Sequence, residues 1–171
     1  MTFSVSMCKQ TMSFLNIEYG LFKSNFFRPR QQKDKVVILL GATGTGKSRL
    51  SIDLATQFPA EIINSDKIQV HVGLNILSNK IPKEERCGIP HHLLGVIHPN
   101  VDFTTLDFVD MASDAMASIL SRGQVPIIAG GLNSYIEALA DDGDFLFRSK
   151  YECCFLCLDV AMPVLDQYVS D

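Results

Sequence analysis

Eight residues define the chemistry open to this chain. Gly41, Ala42, Thr43, Gly44, Thr45, Gly46, Lys47 and Ser48 are spaced as G-x-x-x-x-G-K-[ST]. Glycines at this spacing let the backbone curl until successive N–H groups face one anion, and a helix that starts at once adds its positive end. Lys47 supplies a mobile point charge, and the Ser48 hydroxyl suits Mg²⁺. The implied ligand is a diphosphate or polyphosphate, with neither its identity nor the reaction specified. Asp66, in Asn64-Ser65-Asp66-Lys67, has three roles open to it: general base, a carboxylate behind Mg²⁺, or the N-cap of the next helix. The metal carboxylate of an ordinary ATPase follows four hydrophobic residues. Ala60-Glu61-Ile62-Ile63 fits that poorly, and Asp159, after Phe155-Leu156-Cys157-Leu158, fits it better. His91-His92 has no evident third ligand, so polar lining or a structural hydrogen bond outweighs zinc.

These residues need elements to hold them. Val36–Leu40 is a continuous apolar run ending at glycine, as expected of a strand buried on both faces of a parallel sheet. Leu50, Leu54 and Phe58 form one stripe of a helix over Gly46–Phe58, closed by Pro59. Glu61–Asn64, Val125–Ala129 and Tyr151–Val160 read as further strands. Thr104–Leu120 reads as a helix opened by a capping box, Thr104 to Asp107, and ended at Arg122-Gly123. Its Asp107, Asp110 and Asp114 share one solvated face. Asn133–Ala140 reads as a short helix, and Pro163–Asp171 as the start of another. This alternation predicts an α/β fold: a three-layer parallel sheet flanked by helices, with ligands at the carboxyl ends of its strands. Gly41–Ser48, Asp66 and Gly130–Ser134 all follow strands.

The 171 residues are 47% hydrophobic and 20% charged, which excludes a disordered or fibrous chain. No apolar run reaches the roughly 18 residues of a membrane span, so no membrane partner is expected. Residues 1–35 carry a net charge of +4 and the remainder −8. So acidic a body is a poor tracker of nucleic-acid backbone, which argues against tRNA. Residues 1–34 are basic, serine-containing and acid-poor, the composition of an organelle transit peptide or a disordered extension; residues 35–171 form the domain. Five cysteines, three of them in Cys153-Cys154-Phe155-Leu156-Cys157, read as buried strand packing in a reducing compartment rather than as a redox or metal pair.

Several blocks together bring a family into view. Gly41 to Ala55, Glu61 to Val70, Gly88-Ile89-Pro90-His91-His92-Leu93-Leu94-Gly95, Pro126 to Gly131 with Asn133 to Leu139, and Tyr151 to Leu156 resemble the plant adenylate isopentenyltransferases, the cytokinin synthases. That family is related to the tRNA dimethylallyltransferases. The resemblance covers about residues 35–171. It implies a P-loop NTPase-like sheet and a chain that is C-terminally truncated, without the family's added helical region.

The resemblance also implies the chemistry. Dimethylallyl diphosphate donates its prenyl group to the N6 amino group of AMP, ADP or ATP; the composition of residues 1–34 points to a plastid or, alternatively, the cytoplasm as the place. Lys47, the loop amides of Gly41–Ser48 and Mg²⁺ on Ser48 stabilise departing pyrophosphate. Thr43 sits against the diphosphate, and Asp66 accepts the N6 proton. Gln69 and Ser134 are candidate acceptor or phosphate contacts. The rival readings are a P-loop small-molecule kinase and a non-catalytic nucleotide-binding short form. A truncated sheet predicts an uncovered edge on the last strand, with phosphate binding retained and little transfer activity.

Overall fold

The computed structural model describes residues 5–7, 33–73, 76, 78–131, 133–140, 147 and 150–158. Six strands form one sheet: β1 (Val5–Met7), β2 (Asp34–Gly41), β3 (Ala60–Asn64), β4 (His91–His92), β5 (Val125–Ala129) and β6 (Tyr151–Leu158). Their order is β1-β6-β2-β5-β3-β4, parallel except for β1 against β6. Helices α1 (Lys47–Ala55), α2 (Thr105–Ser121) and α3 (Asn133–Ala140) flank it, with a short 3₁₀ turn at Lys83–Arg86.

The alternation of side chains along each strand sorts the core into two layers. Leu39, Ile62, Ile127 and Ala129 face α1, where Ile52 and Ala55 meet them. Val36, Ile38, Ile63 and Ile128 face α2 and α3, where Phe108, Met116, Ile119, Tyr135 and Leu139 meet them. The expected three-layer α/β fold is therefore present. Each such aliphatic side chain contributes about 1.5–3 kcal/mol through removal from water, so the central strands are the best-anchored part of the sheet.

Helix α2 starts as its sequence requires. Thr104 Oγ1 accepts from the Asp107 N–H at 3.2 Å, and Asp107 Oδ2 accepts from the Thr104 N–H at 2.8 Å. The Thr104 hydroxyl, donating to Asp107 Oδ2 at 2.6 Å, and then the Thr104 N–H hold the Asp107 carboxyl below its ordinary pKa.

Two expectations need correction. The edge of the last strand is paired: Val5, Ser6 and Met7 lie opposite Leu158, Cys157 and Leu156. The thiols of β6 are not all buried, since Cys154 and Cys157 are exposed and Cys153 is half-buried. Among the described residues, Cys153 and Phe155 pack against the α2 and α3 layer and Leu156 against the α1 layer, each only partly buried. Asp159 and Pro163–Asp171 lie outside the described residues.

One charged cluster sits inside the fold. Glu61, 5% exposed, points toward the α2 side of β3 and accepts from Arg122 at 2.8 and 2.9 Å and from His92 Nε2 at 2.5 Å. Burial pushes the Glu61 pKa up, but the hydrogen bonds from His92 and Arg122 outweigh it and hold the carboxyl below its usual value. His92 therefore has the structural hydrogen bond expected of it. His91 lies against the Ile89 carbonyl at 2.8 Å.

Candidate active site

The carboxyl ends of β2, β3 and β5 open into a cavity of about 620 Å³. Its walls include Thr43, Gly44, Gly46, Lys47 and Ser48 from the loop after β2, and Asp66 and Gln69 from the turn after β3. Gly130 and Gly131 after β5 and a stretch that includes Ser78, Lys80 and Glu85 form further parts of the wall. Three segments far apart in the chain thus converge, as the strand-end rule requires.

The loop is shaped by its glycines and by local hydrogen bonds. Gly46 caps α1 in the left-handed region at φ 87°, a conformation that costs any side chain with a Cβ. Its carbonyl receives the Leu50 N–H at 2.9 Å, so the helix begins directly under the loop. Thr45 Oγ1 donates to the Ala42 carbonyl at 2.8 Å and braces the curl. Lys47 is 9% exposed and donates to the carbonyls of Gly41 at 2.8 Å and Ala42 at 2.5 Å. Burial lowers the Lys47 pKa, and the nearby Asp66 carboxylate opposes this.

Asp66 divides its two oxygens between two tasks. Oδ1 accepts the N–H groups of Ile68 at 2.8 Å and Gln69 at 3.3 Å, which caps the turn over residues 67–70. Oδ2 faces the third segment: a Cβ on Gly131 would lie 4.0 Å from it and 3.6 Å from Thr43 Oγ1. The capping role and a free carboxylate oxygen coexist in one side chain.

Gln69 lies on the cavity wall and donates through Nε2 to the Ser78 carbonyl at 3.0 Å, which ties the segment after β3 across the opening. Ser48 is exposed on the same wall, and its hydroxyl has no protein partner among the described residues. Ser134 is placed elsewhere. It lines a second cavity of about 400 Å³ with Lys67, Asp102, Phe103, Thr104, Thr105 and Tyr135. Tyr135 there stacks on Phe108 at 4.5 Å, and its buried hydroxyl has no partner among the described residues.

Sequence reasoning gave no role to three contributors. Lys80 is 9% exposed on the wall of the larger cavity, and Asn64 ties the ends of β3 and β4 by donating to the Leu93 carbonyl at 3.0 Å. Gly130 is the third. A Cβ there would lie 2.6 Å from the Ser65 carbonyl oxygen and closer still to the Ser65 carbonyl carbon and Oγ. Double glycine after an apolar strand was the available signal, but only the cross-strand neighbour explains it. Gly130→Ala is expected to lower stability by about 3 kcal/mol, because the obstacle is backbone. Chemical denaturation measures this, and an unchanged midpoint would show that β3 and β5 slide apart at no cost.

A parallel three-layer sheet with a glycine-rich turn and a lysine at the start of its first helix has a P-loop-like architecture. The IPP transferase family matches residues 69–153, and the chain belongs to this family. It is 55% identical to adenylate isopentenyltransferase 3, chloroplastic, of Arabidopsis thaliana over 100% of this chain and 52% of that protein. It is 58% identical to adenylate isopentenyltransferase 5, chloroplastic, over 92% of this chain and 47% of that protein. The chain thus spans about half the length of the curated relatives it matches. Among solved structures, a tRNA Δ(2)-isopentenylpyrophosphate transferase from Staphylococcus epidermidis is 39% identical with a TM-score of 0.61. That match covers 63% of this chain and 35% of the other. Several relatives are named chloroplastic and one mitochondrial. Among the described residues no helix is long and apolar enough to cross a membrane.

Proposed function

We propose that the protein transfers a dimethylallyl group from dimethylallyl diphosphate to the N6 amino group of AMP, ADP or ATP, the first step of cytokinin synthesis. The observation that carries this is the convergence of Asp66 Oδ2 and Thr43 Oγ1 on Gly131, beside the loop that holds Lys47. The names of the relatives support the substrates.

In this reading the loop amides of Gly41–Ser48 and Lys47 hold the donor's diphosphate. The bond between the allylic carbon and the diphosphate oxygen breaks, and its electron pair leaves with pyrophosphate. The N6 lone pair forms the new carbon–nitrogen bond, and the N6 proton passes to Asp66 Oδ2. Positioning supplies much of the rate, and stabilisation of the leaving charge supplies most of the rest. Ser48 suits Mg²⁺, because its unpartnered hydroxyl faces the cavity and this ion takes few protein ligands beside substrate phosphates. When bound, the ion would neutralise charge on the diphosphate. Gln69 braces the wall beside the acceptor, and Ser134 and Tyr135 offer polar groups in the second cavity.

A free nucleotide is favoured over tRNA by the −8 net charge of residues 36–171. The basic, acid-poor composition of residues 1–34 and the chloroplastic names of several relatives support a plastid transit segment within residues 1–34, whose Val5–Met7 pairs with β6 in this structure, and a domain at 35–171.

The test is incubation with labelled dimethylallyl diphosphate and AMP, ADP or ATP, and in parallel with ATP and small alcohols. N6-prenylated nucleotide is the expected product. Phosphorylated alcohol without prenylated nucleotide would replace this reading with a kinase.

A further inference from the structure

We propose that Lys80 is a second cationic ligand for the diphosphate, on the wall of the cavity that Lys47 also lines. The inference rests on the reading of the loop as a diphosphate site and adds a residue to it. Lys80 lines the same 620 Å³ cavity as Lys47, Ser48 and Asp66, and like Lys47 it is 9% exposed.

The two lysines differ in what surrounds them. Lys47 has the Asp66 carboxylate near enough to favour its charge. Lys80 has no such neighbour. Its ammonium donates to the carbonyls of His71 and Gly73, and it takes part in no ion pair among the described residues. Burial and the nearby Arg86 cation both work against its charge, in that order. A buried ammonium with only neutral oxygens around it is costly. Folding alone gives no reason to keep it, since a neutral donor would hold the same two carbonyls.

The cost is offset when an anion enters the cavity. An ammonium has three donors, so two carbonyls leave one. The other cation on this wall, Arg49, is exposed and engaged with Asp53 at 3.3 Å. A diphosphate carries about two to three negative charges at neutral pH, more than Lys47 neutralises. Gln69 and Ser78 tie the intervening segment together at 3.0 Å, which fixes the wall that carries Lys80.

The test is calorimetric binding of inorganic pyrophosphate to the whole chain and to Lys80→Met, Lys80→Gln and Lys83→Ala. The glutamine keeps donors for the two carbonyls and removes the charge. Lys83 is exposed on the neighbouring 3₁₀ turn and does not line the cavity. Both Lys80 variants are expected to bind pyrophosphate roughly 10- to 100-fold more weakly and to lose part of the ionic-strength dependence. Lys83→Ala is expected to bind as the parent does. A folded Lys80→Gln protein with parental affinity and salt dependence would overturn the proposal and leave the loop reading intact. Absence of pyrophosphate binding by the unaltered chain would overturn both. A purely structural clamp would lower the thermal midpoint of Lys80→Met while Lys80→Gln kept parental affinity, and that outcome also overturns it.

Discussion

Asp66→Asn is expected to cut prenyl transfer by roughly 10²- to 10⁴-fold, the range for loss of a positioned base, with the fold and donor affinity retained. The reason lies in the two oxygens. Asparagine keeps an acceptor for the N–H groups of Ile68 and Gln69, which Asp66 Oδ1 now receives at 2.8 and 3.3 Å, so the turn survives. What is lost is the carboxylate oxygen beside Thr43 and Gly131, and an amide cannot take up the N6 proton. Single-turnover formation of prenylated nucleotide, together with donor affinity by calorimetry, checks this. Weakened donor binding with unchanged turnover would reassign Asp66 to ground-state binding.

Lys47→Ala is expected to remove measurable diphosphate binding, a loss of at least about 100-fold, or about 3 kcal/mol. The ammonium sits 9% exposed at the start of α1, among loop carbonyls it already holds. A diphosphate drawn into the cavity loses water that backbone amides alone replace poorly. The fold should survive, because Gly41 is only half-buried and Ala42 is exposed, so water can reach the freed carbonyls. Calorimetry with dimethylallyl diphosphate reads the effect. Full affinity in a folded variant would remove the phosphate-loop assignment.

The local signals were the legible ones. The glycine–lysine–serine spacing of residues 41–48, the apolar runs at Val36–Leu40 and Val125–Ala129, and the capping box at Thr104 and Asp107 depend on residues within a few positions of one another. Backbone geometry and side-chain periodicity act over that range, so the sequence by itself determined the α/β class, the loop and the helix starts. Asp66 was legible as a set of three roles, because an aspartate after a strand presents the same short-range pattern for each.

Tertiary structure decided everything that depends on contact between distant segments. It assigned one Asp66 oxygen to the turn and the other to the cavity, through Gly131 from β5 and Thr43 from the loop after β2. It brought Arg122 to Glu61, 61 residues away, and so explained a carboxylate inside an apolar strand. It placed Ser134 in a different cavity from Lys47, and it left Cys154 and Cys157 exposed where composition alone predicted burial. Lys80 carried no readable signal, and Gly130 only that of a double glycine after an apolar strand. An isolated lysine in a polar stretch looks solvated, and a glycine looks like a turn, until the neighbours that bury the one and crowd the other are in place. Burial and close approach are properties of packed pairs, and the partner in each pair is chosen by how the strands are ordered in the sheet rather than by the residues beside it in the chain.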